Sequence, residues 1–293
     1  MILRVPAQLL RGFCMGAADV VPGVSGGTIA LVFGIYETLV HQIRQGAAAA
    51  MRLVRLDITG FASGVRGLDW PFLAPLGLGI LLAILTLART IEHLLDTRPE
   101  ETAAAFFGLV AASIVVAWGM LGRRDNFRIG VMALSAVVTF FALGVRGSAI
   151  DDPKWWMLLG AGALAICAMI LPGISGSFIL LMIGMYDTVL GAVNDRDMET
   201  VVIFAAGAVI GLAAFSTVLD RMLRRHHDTV LAALVGLMAG SLRVLWPWPQ
   251  GADSARIAAP PADDWFGALV IALVAALVVF GLVGLGSAKP RAR

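Results

Sequence analysis

The chain has 293 residues, 59% of them hydrophobic and only 14% charged, with a formal net charge of +2. Soluble domains are about a quarter charged, so this composition excludes an ordinary soluble protein, and the small charge excess gives no sign of a nucleic-acid partner. The two cysteines, Cys14 and Cys167, lie inside apolar segments and read as buried small hydrophobes rather than as a disulfide or a metal pair.

In chain order, residues 6–40 form an apolar helical hairpin broken at Pro22-Gly23-Val24-Ser25-Gly26-Gly27. Arg11 interrupts the first apolar run, which continues straight into the break, so this segment reads as retained structure and not as a signal peptide. A basic loop over 41–70 follows. Apolar runs near 72–94, 103–122 and 128–146 are long enough to cross a bilayer, which takes ~20 helical residues. A second hairpin, 155–193, is broken at Pro172-Gly173-Ile174-Ser175-Gly176-Ser177. Three further spans fall near 200–220, 229–246 and 264–286. The expected fold is an all-α polytopic membrane protein.

The second half repeats the first. Ile29, Leu31, Gly34, Tyr36 and Thr38 recur as Ile179, Leu181, Gly184, Tyr186 and Thr188, and Glu37 recurs as Asp187. In a second register, Gly108-Leu109, Ala111, Ser113, Val116 and Trp118 recur as Gly236-Leu237, Ala239, Ser241, Val244 and Trp246. Residues 1–150 and 151–293 thus form two repeats, each one hairpin plus three spans. Three spans between the breaks is an odd number, so the repeats are inverted relative to one another.

Loop charges set the orientation, because cytoplasmic loops are rich in Lys and Arg. If each hairpin enters and leaves on one side, a single face collects Arg4, Arg11, Arg44, Arg52, Arg55, Arg66, Arg123, Arg124, Arg128, Arg221, Arg224, Arg225, Lys289, Arg291 and Arg293. The other face holds only Arg98, Arg146, Lys154, Arg196 and Arg256, among many acids that include Asp151, Asp152, Asp253, Asp263 and Asp264. Both termini are therefore expected in the cytoplasm. Charge does not separate a re-entrant hairpin from two full spans; the Gly and Ser content of the breaks favours the re-entrant form, lining a cavity at mid-depth.

A helix that restarts after a Pro-Gly break exposes its first N–H groups and the positive end of its dipole. Ser25, Thr28, Ser175 and Ser177 add hydroxyls, and Gly26, Gly27 and Gly176 admit close approach. One such motif reads as a packing device. Two, in inverted halves, read as an anion site suited to phosphate, with Arg11, two turns before Asp19 on the same arm, as a partner of Asp19 or of the substrate. Asp19, Glu37 and Asp187 are the coupling or gating candidates, because carboxylates inside membrane segments are costly; Asp19 is the one expected to be buried. Arg89, Glu92 and Arg243 lie near span ends and read as snorkelling side chains. His41, His93, His226 and His227 fall in loops or at span ends and receive no role. No catalytic residue, metal or cofactor is called for.

The run Gly16-Ala17-Ala18-Asp19-Val20-Val21-Pro22-Gly23-Val24-Ser25-Gly26-Gly27-Thr28, with Gly34-Ile35-Tyr36-Glu37 after it, closely resembles the bacterial polyprenyl-phosphate transporter family of the PopT type, long catalogued as a domain of unknown function. So does Leu171-Pro172-Gly173-Ile174-Ser175-Gly176-Ser177-Phe178. The resemblance covers essentially the whole chain. It implies a flippase of the bacterial inner membrane that returns undecaprenyl phosphate, the lipid carrier of envelope-glycan synthesis, from outer to inner leaflet. The residues alone reach an anion site between inverted repeats and name no lipid. Two rivals stay open at this point. Undecaprenyl-pyrophosphate phosphatases share Pro-Gly-x-Ser but place Arg after the Ser, where this chain has Gly26 and Gly176. A small-anion channel or transporter would use the same nest. Coupling to protons or another cation is expected to accompany transport; the sequence leaves the oligomeric state open.

Overall fold

The computed structural model of the protein describes residues 4–21, 23–150, 153–249, 251–252, 257–261 and 265–286. Pro22 of the first motif lies outside them, as do Asp151, Asp152, Asp253, Arg256, Asp263, Asp264, Lys289, Arg291 and Arg293 of the charge comparison. The described residues form twelve helices: α1 (Arg4–Asp19), α2 (Gly26–Val32), α3 (Tyr36–Val54), α4 (Ile58–Arg66), α5 (Trp70–Thr97), α6 (Pro99–Gly119), α7 (Asn126–Ala142), α8 (Trp155–Ile170), α9 (Gly176–Met182), α10 (Tyr186–Asn194), α11 (Met198–Ser241) and α12 (Trp265–Gly286). The all-helical expectation holds.

The spans differ from the six expected. Four helices, α5, α6, α11 and α12, are long and apolar enough to cross a membrane, and α9 with α10 makes one further candidate as a pair bent by 117°. The expected span 128–146 is the 17-residue α7, near the lower limit of length. The runs 200–220 and 229–246 fall on the two limbs of α11 (44 residues), which are parted by non-helical backbone at His226 (φ −134°, ψ 45°). A straight helix of that length would reach ~66 Å, about twice the hydrocarbon thickness. The break turns it into two limbs. Arg98, between α5 and α6, has nearly the same backbone (φ −141°, ψ 60°), and it sits at the position that the second repeat register aligns with His226. Pro99 opens α6 and enforces the break there; in α11 the same bend occurs without proline.

The hairpins also differ from two simple arms. After each Pro-Gly break comes a helix of only seven residues, α2 or α9. Each then ends at a glycine of positive φ, Gly34 (66°) or Gly184 (71°), a conformation that costs other residues a Cβ clash. The chain bends there and starts α3 or α10. The first hairpin does not stop at residue 40, because α3 runs on to Val54, and the short exposed helix α4 follows within the basic loop.

The same helix contacts occur in both halves. α1 packs along α5, and α8 packs along the first limb of α11. The approach is close enough that a Cβ on Gly12 would collide with the Leu76 carbonyl, and one on Gly79 with the Leu9 carbonyl. In the second half the colliding pairs are Gly162 with Phe204 and Gly207 with Leu159. These are the same positions, shifted by the two repeat registers. The last helices are exchanged between halves: α12 packs on α6, and α7 on the second limb of α11. Gly108 of α6 meets the backbone of Ala272, and its counterpart Gly236 meets that of Met132. The core, with Val21, Val24, Tyr36, Leu231, Val235, Met238 and Leu245 fully buried, lies where these elements cross.

Such contacts make a directional prediction. Gly207→Ala should destabilise the protein by about 1–3 kcal/mol through overpacking against α8. Gly160, in the same pair of helices, faces open space, and Gly160→Ala should be neutral or stabilising by up to ~1 kcal/mol from helix propensity. Thermal unfolding of the two variants in detergent, side by side, checks the sign of each.

Candidate functional site

The two Pro-Gly motifs meet. Gly23 and Gly173 occupy the turns with φ of 84° and 88°, and each turn delivers a serine to the residue before the next helix. Ser25 caps α2, accepting from the Gly27 N–H at 3.1 Å, and its hydroxyl donates to the Met169 carbonyl at 3.2 Å. The Gly173 N–H donates to Thr28 Oγ1 at 2.9 Å. Tyr36, at the start of α3, donates to the Ile170 carbonyl at 3.2 Å. Three side chains of the first hairpin thus satisfy backbone groups that the second break frees at and just after the end of α8. Gly27 fits against Pro172 and the Ile170 carbonyl, where a Cβ would be tight at 3.0 Å from that oxygen.

The two motifs are not equivalent in what they leave open. Ser25 and Thr28 are fully buried, and both hydroxyls are engaged. The Gly26 N–H, at the start of α2, donates to Asp19 Oδ1 at 2.6 Å. The position a bound anion would take there is already held by a carboxylate of the protein. Around the second motif, Ser175 and Ser177 are half-buried and bond to each other at 2.8 Å. Ser175 makes no side-chain cap to α9, unlike Ser25 on α2. The second motif therefore keeps the freer donors.

The other expected residues are placed as follows. Asp19 is the last residue of α1, where the chain turns; the residue has an open edge, but its carboxylate is turned inward across the turn to the Gly26 N–H. Arg11 is half-buried and donates to Gln8 at 3.4 Å, one helical turn away, not to Asp19. Asp187 is exposed near the start of α10. Glu37 is exposed too, but it is paired: His227 Nε2 lies 2.6 Å from its Oε1.

That partner was given no role from sequence. His227 also places Nδ1 3.3 Å from Asp228 Oδ1, so both ring nitrogens face carboxylates. Residues 221–228 form the polar stretch between the apolar limbs of α11. Burial opposes charge on His227, but Asp228 and Glu37 outweigh it and raise its pKa above the usual 6.5. A second cluster was also missed. Asp220, its side chain 6% exposed, accepts from Arg44 Nη1 at 2.7 Å and Arg224 Nε at 3.1 Å, with His41 Nδ1 at 3.2 Å. The only sequence signal for either cluster is that helical spacing stacks Glu37, His41 and Arg44 along α3.

An apolar cavity of about 220 Å³ lies beside the first motif, between α1, α2, α6 and α12. Ala18, Ile29, Phe33 and Phe106 line it, and Val278 and Leu282 on its α12 side are exposed.

A family profile described as undecaprenyl phosphate translocase-like matches residues 15–259, a stretch that contains both motifs but not Arg11. The chain belongs to this family. It is 44% identical over 243 residues to the polyprenyl-phosphate transporter of Vibrio cholerae serotype O1, covering 82% of this chain and 77% of that one. It is 28% identical over 257 residues to the polyprenyl-phosphate transporter of Staphylococcus aureus, covering 82% and 86%. Both relatives are named as transporters, not as enzymes. No solved structure matches the chain significantly. The hydroxyl of Ser25 points its proton at a carbonyl rather than at a base, which is no arrangement for a nucleophile.

Two measurements test this geometry. Thr28→Val leaves the buried Gly173 N–H without its acceptor and should cost about 1–3 kcal/mol of stability, while Thr28→Ser should restore most of it; thermal unfolding of both variants decides. The Glu37–His227 contact predicts a pH dependence. With its pKa raised in the folded state, His227 contributes fully below about 6.5 and loses its contribution as pH rises through the higher folded value. The difference in melting temperature between the parent and His227→Gln should therefore be largest in mild acid and shrink towards alkaline pH.

Proposed function

We propose that the protein is a flippase for polyprenyl phosphate, undecaprenyl phosphate in particular, returning it from the outer to the inner leaflet of the bacterial inner membrane. The observation that carries this reading is the junction of the two Pro-Gly motifs, tied together by hydrogen bonds and flanked by an apolar cavity. The names of the two relatives support the substrate.

In this reading the halves are inverted across the membrane and both termini are cytoplasmic. The two breaks are re-entrant, since a seven-residue helix of ~10 Å reaches only about a third of the hydrocarbon depth. Ser175, Gly176 and Ser177 take the phosphate first, because their donors are the less committed. Gly26, Gly27, Ser25 and Thr28 form the opposing wall. The prenyl chain lies along the apolar cavity, whose exposed α12 rim opens towards the surrounding lipid. A small-anion channel has no use for such a lining, and this favours a lipid.

Asp19 then acts as an internal competitor. A phosphate that takes the Gly26 N–H must displace or neutralise this carboxylate. Inward movement of a phosphate near charge −2 against an interior-negative potential costs roughly 4–5 kcal/mol per 100 mV. Protons taken up at Asp19, with Glu37 and Asp187 as further carriers, offset part of that cost. Arg11, bonded to Gln8, serves the headgroup only if it changes rotamer.

Reconstitution into liposomes with a leaflet-resolved reporter of undecaprenyl phosphate tests the whole. Ser175→Leu should cut the flipping rate about tenfold or more at normal accumulation, by filling the nest. Asp19→Asn should flatten the pH dependence of the rate. Unchanged flipping in Ser175→Leu would reduce the motifs to packing devices, and a rate indifferent to both pH gradient and Asp19→Asn would leave facilitated diffusion.

A further inference from the structure

We propose that the cavity beside Asp220 is a second phosphate-binding site, separate from the paired motifs. This cavity, about 360 Å³, is lined by Arg44 of α3 and by Thr217, Asp220, Arg221, Arg224 and Arg225 of α11. Thr217, Arg221 and Arg225 follow one another at four-residue spacing, with Asp220 and Arg224 in the adjacent row. Helical geometry puts both rows on one face. Arg44 closes that face from across the α3–α11 contact.

The charge balance here is incomplete. Four arginines and a single carboxylate line the cavity. Asp220 accounts for Arg44 and Arg224, which it binds directly. Arg221 and Arg225 make no ion pair among the described residues, and both are exposed. They are four residues apart, a spacing at which like charges destabilise a helix. An anion in the cavity relieves this repulsion. Several arginines around one space suit a phosphate, whose oxygens can accept two bonds from a guanidinium fork, better than a single carboxylate.

The cavity is joined to the motifs by α3. Tyr36, which touches the second motif, and Arg44 lie on this one helix, separated along its axis by ~12 Å. The site stands on its own chemistry and does not require that the chain moves a lipid. Phosphate in the cavity comes from one of two sources, a lipid headgroup or the free ion.

Arginine modification by phenylglyoxal, mapped residue by residue by mass spectrometry on the full-length protein in detergent, tests the proposal. Inorganic phosphate and a short-chain prenyl phosphate are the probes, with chloride at matched ionic strength as the control. Each probe that binds should slow modification of Arg221 and Arg225, and of Arg44 and Arg224 beside them, roughly threefold or more, as for a mostly occupied site, and leave Arg52, Arg55 and Arg66 unchanged. Protection by inorganic phosphate identifies a site for the free ion; protection by the prenyl phosphate alone identifies a lipid headgroup site. Protection by neither, or equal slowing at every arginine, overturns the proposal. In Ser175→Leu the protection should persist. Its loss there would mean that binding at the motifs had been read at a distance, and this also overturns the second site. In R221Q/R225Q the protection of Arg44 and Arg224 should vanish. Full protection in that variant also overturns the proposal, since Arg221 and Arg225 would then take no part in holding the anion. If the double variant does not accumulate, the measurement on the parent protein still decides.

Discussion

A backbone break within an apolar surround frees N–H and C=O groups that lipid will not satisfy. The architecture at the centre of this protein answers that constraint. The end of α8 leaves the carbonyls of Met169 and Ile170 and the N–H of Gly173 without helical partners, and Ser25, Tyr36 and Thr28 supply them. All three come from the other half of the chain. The first break closes differently, with Asp19 and Ser25 serving the start of α2 from within the same hairpin. Two copies of one sequence motif have thus become a donor and a recipient of support. This asymmetry leaves the second motif with looser hydroxyls, and it is why the phosphate is assigned there first.

Much of this was legible in the sequence, for reasons tied to particular residues. The Pro-Gly pairs and the apolar run lengths are local signals, and they located both breaks and most of the helices. Gly34 and Gly184 were visible as a matched pair, but not as the bends that shorten α2 and α9 to seven residues; a lone glycine after an apolar run does not announce a positive φ. The extent of the first limb of α11 was hidden because 221–228 reads as a polar loop; Arg221–Arg225 are mostly good helix formers and carry that limb up to the break at His226. Asp19 was expected to be buried as a carboxylate beside the motif inside a membrane segment; that it turns back onto the Gly26 N–H depends on which way the chain turns after α1, which no local signal shows.

The polar clusters show where sequence reading stops. Glu37 meets His227, and Arg44 meets Asp220, across gaps of 190 and 176 residues. No spacing rule spans such gaps. The close-packed glycines, by contrast, were available. Gly12 and Gly162, Gly79 and Gly207, and Gly108 and Gly236 obey the same registers as the motifs. They mark a second layer of the repeat, in which helix backbones approach closely enough to exclude any side chain, as small residues allow in membrane proteins.

The exchange of last helices between halves bears on how the molecule is made. The glycine face of α6 is covered by α12, and α7 rests on the second limb of α11. When the ribosome has delivered the first repeat, α6 and α7 have both been synthesised, yet neither has its packing partner. α7 waits for residues near 230, and α6 for residues beyond 265. Residues 1–150 therefore lack the packing partners of two of their own helices, and assembly of α6 and α7 waits for the rest of the chain. During that interval the groove along α6 lies open to lipid and to insertion machinery, and a truncation before α12 would leave it so permanently.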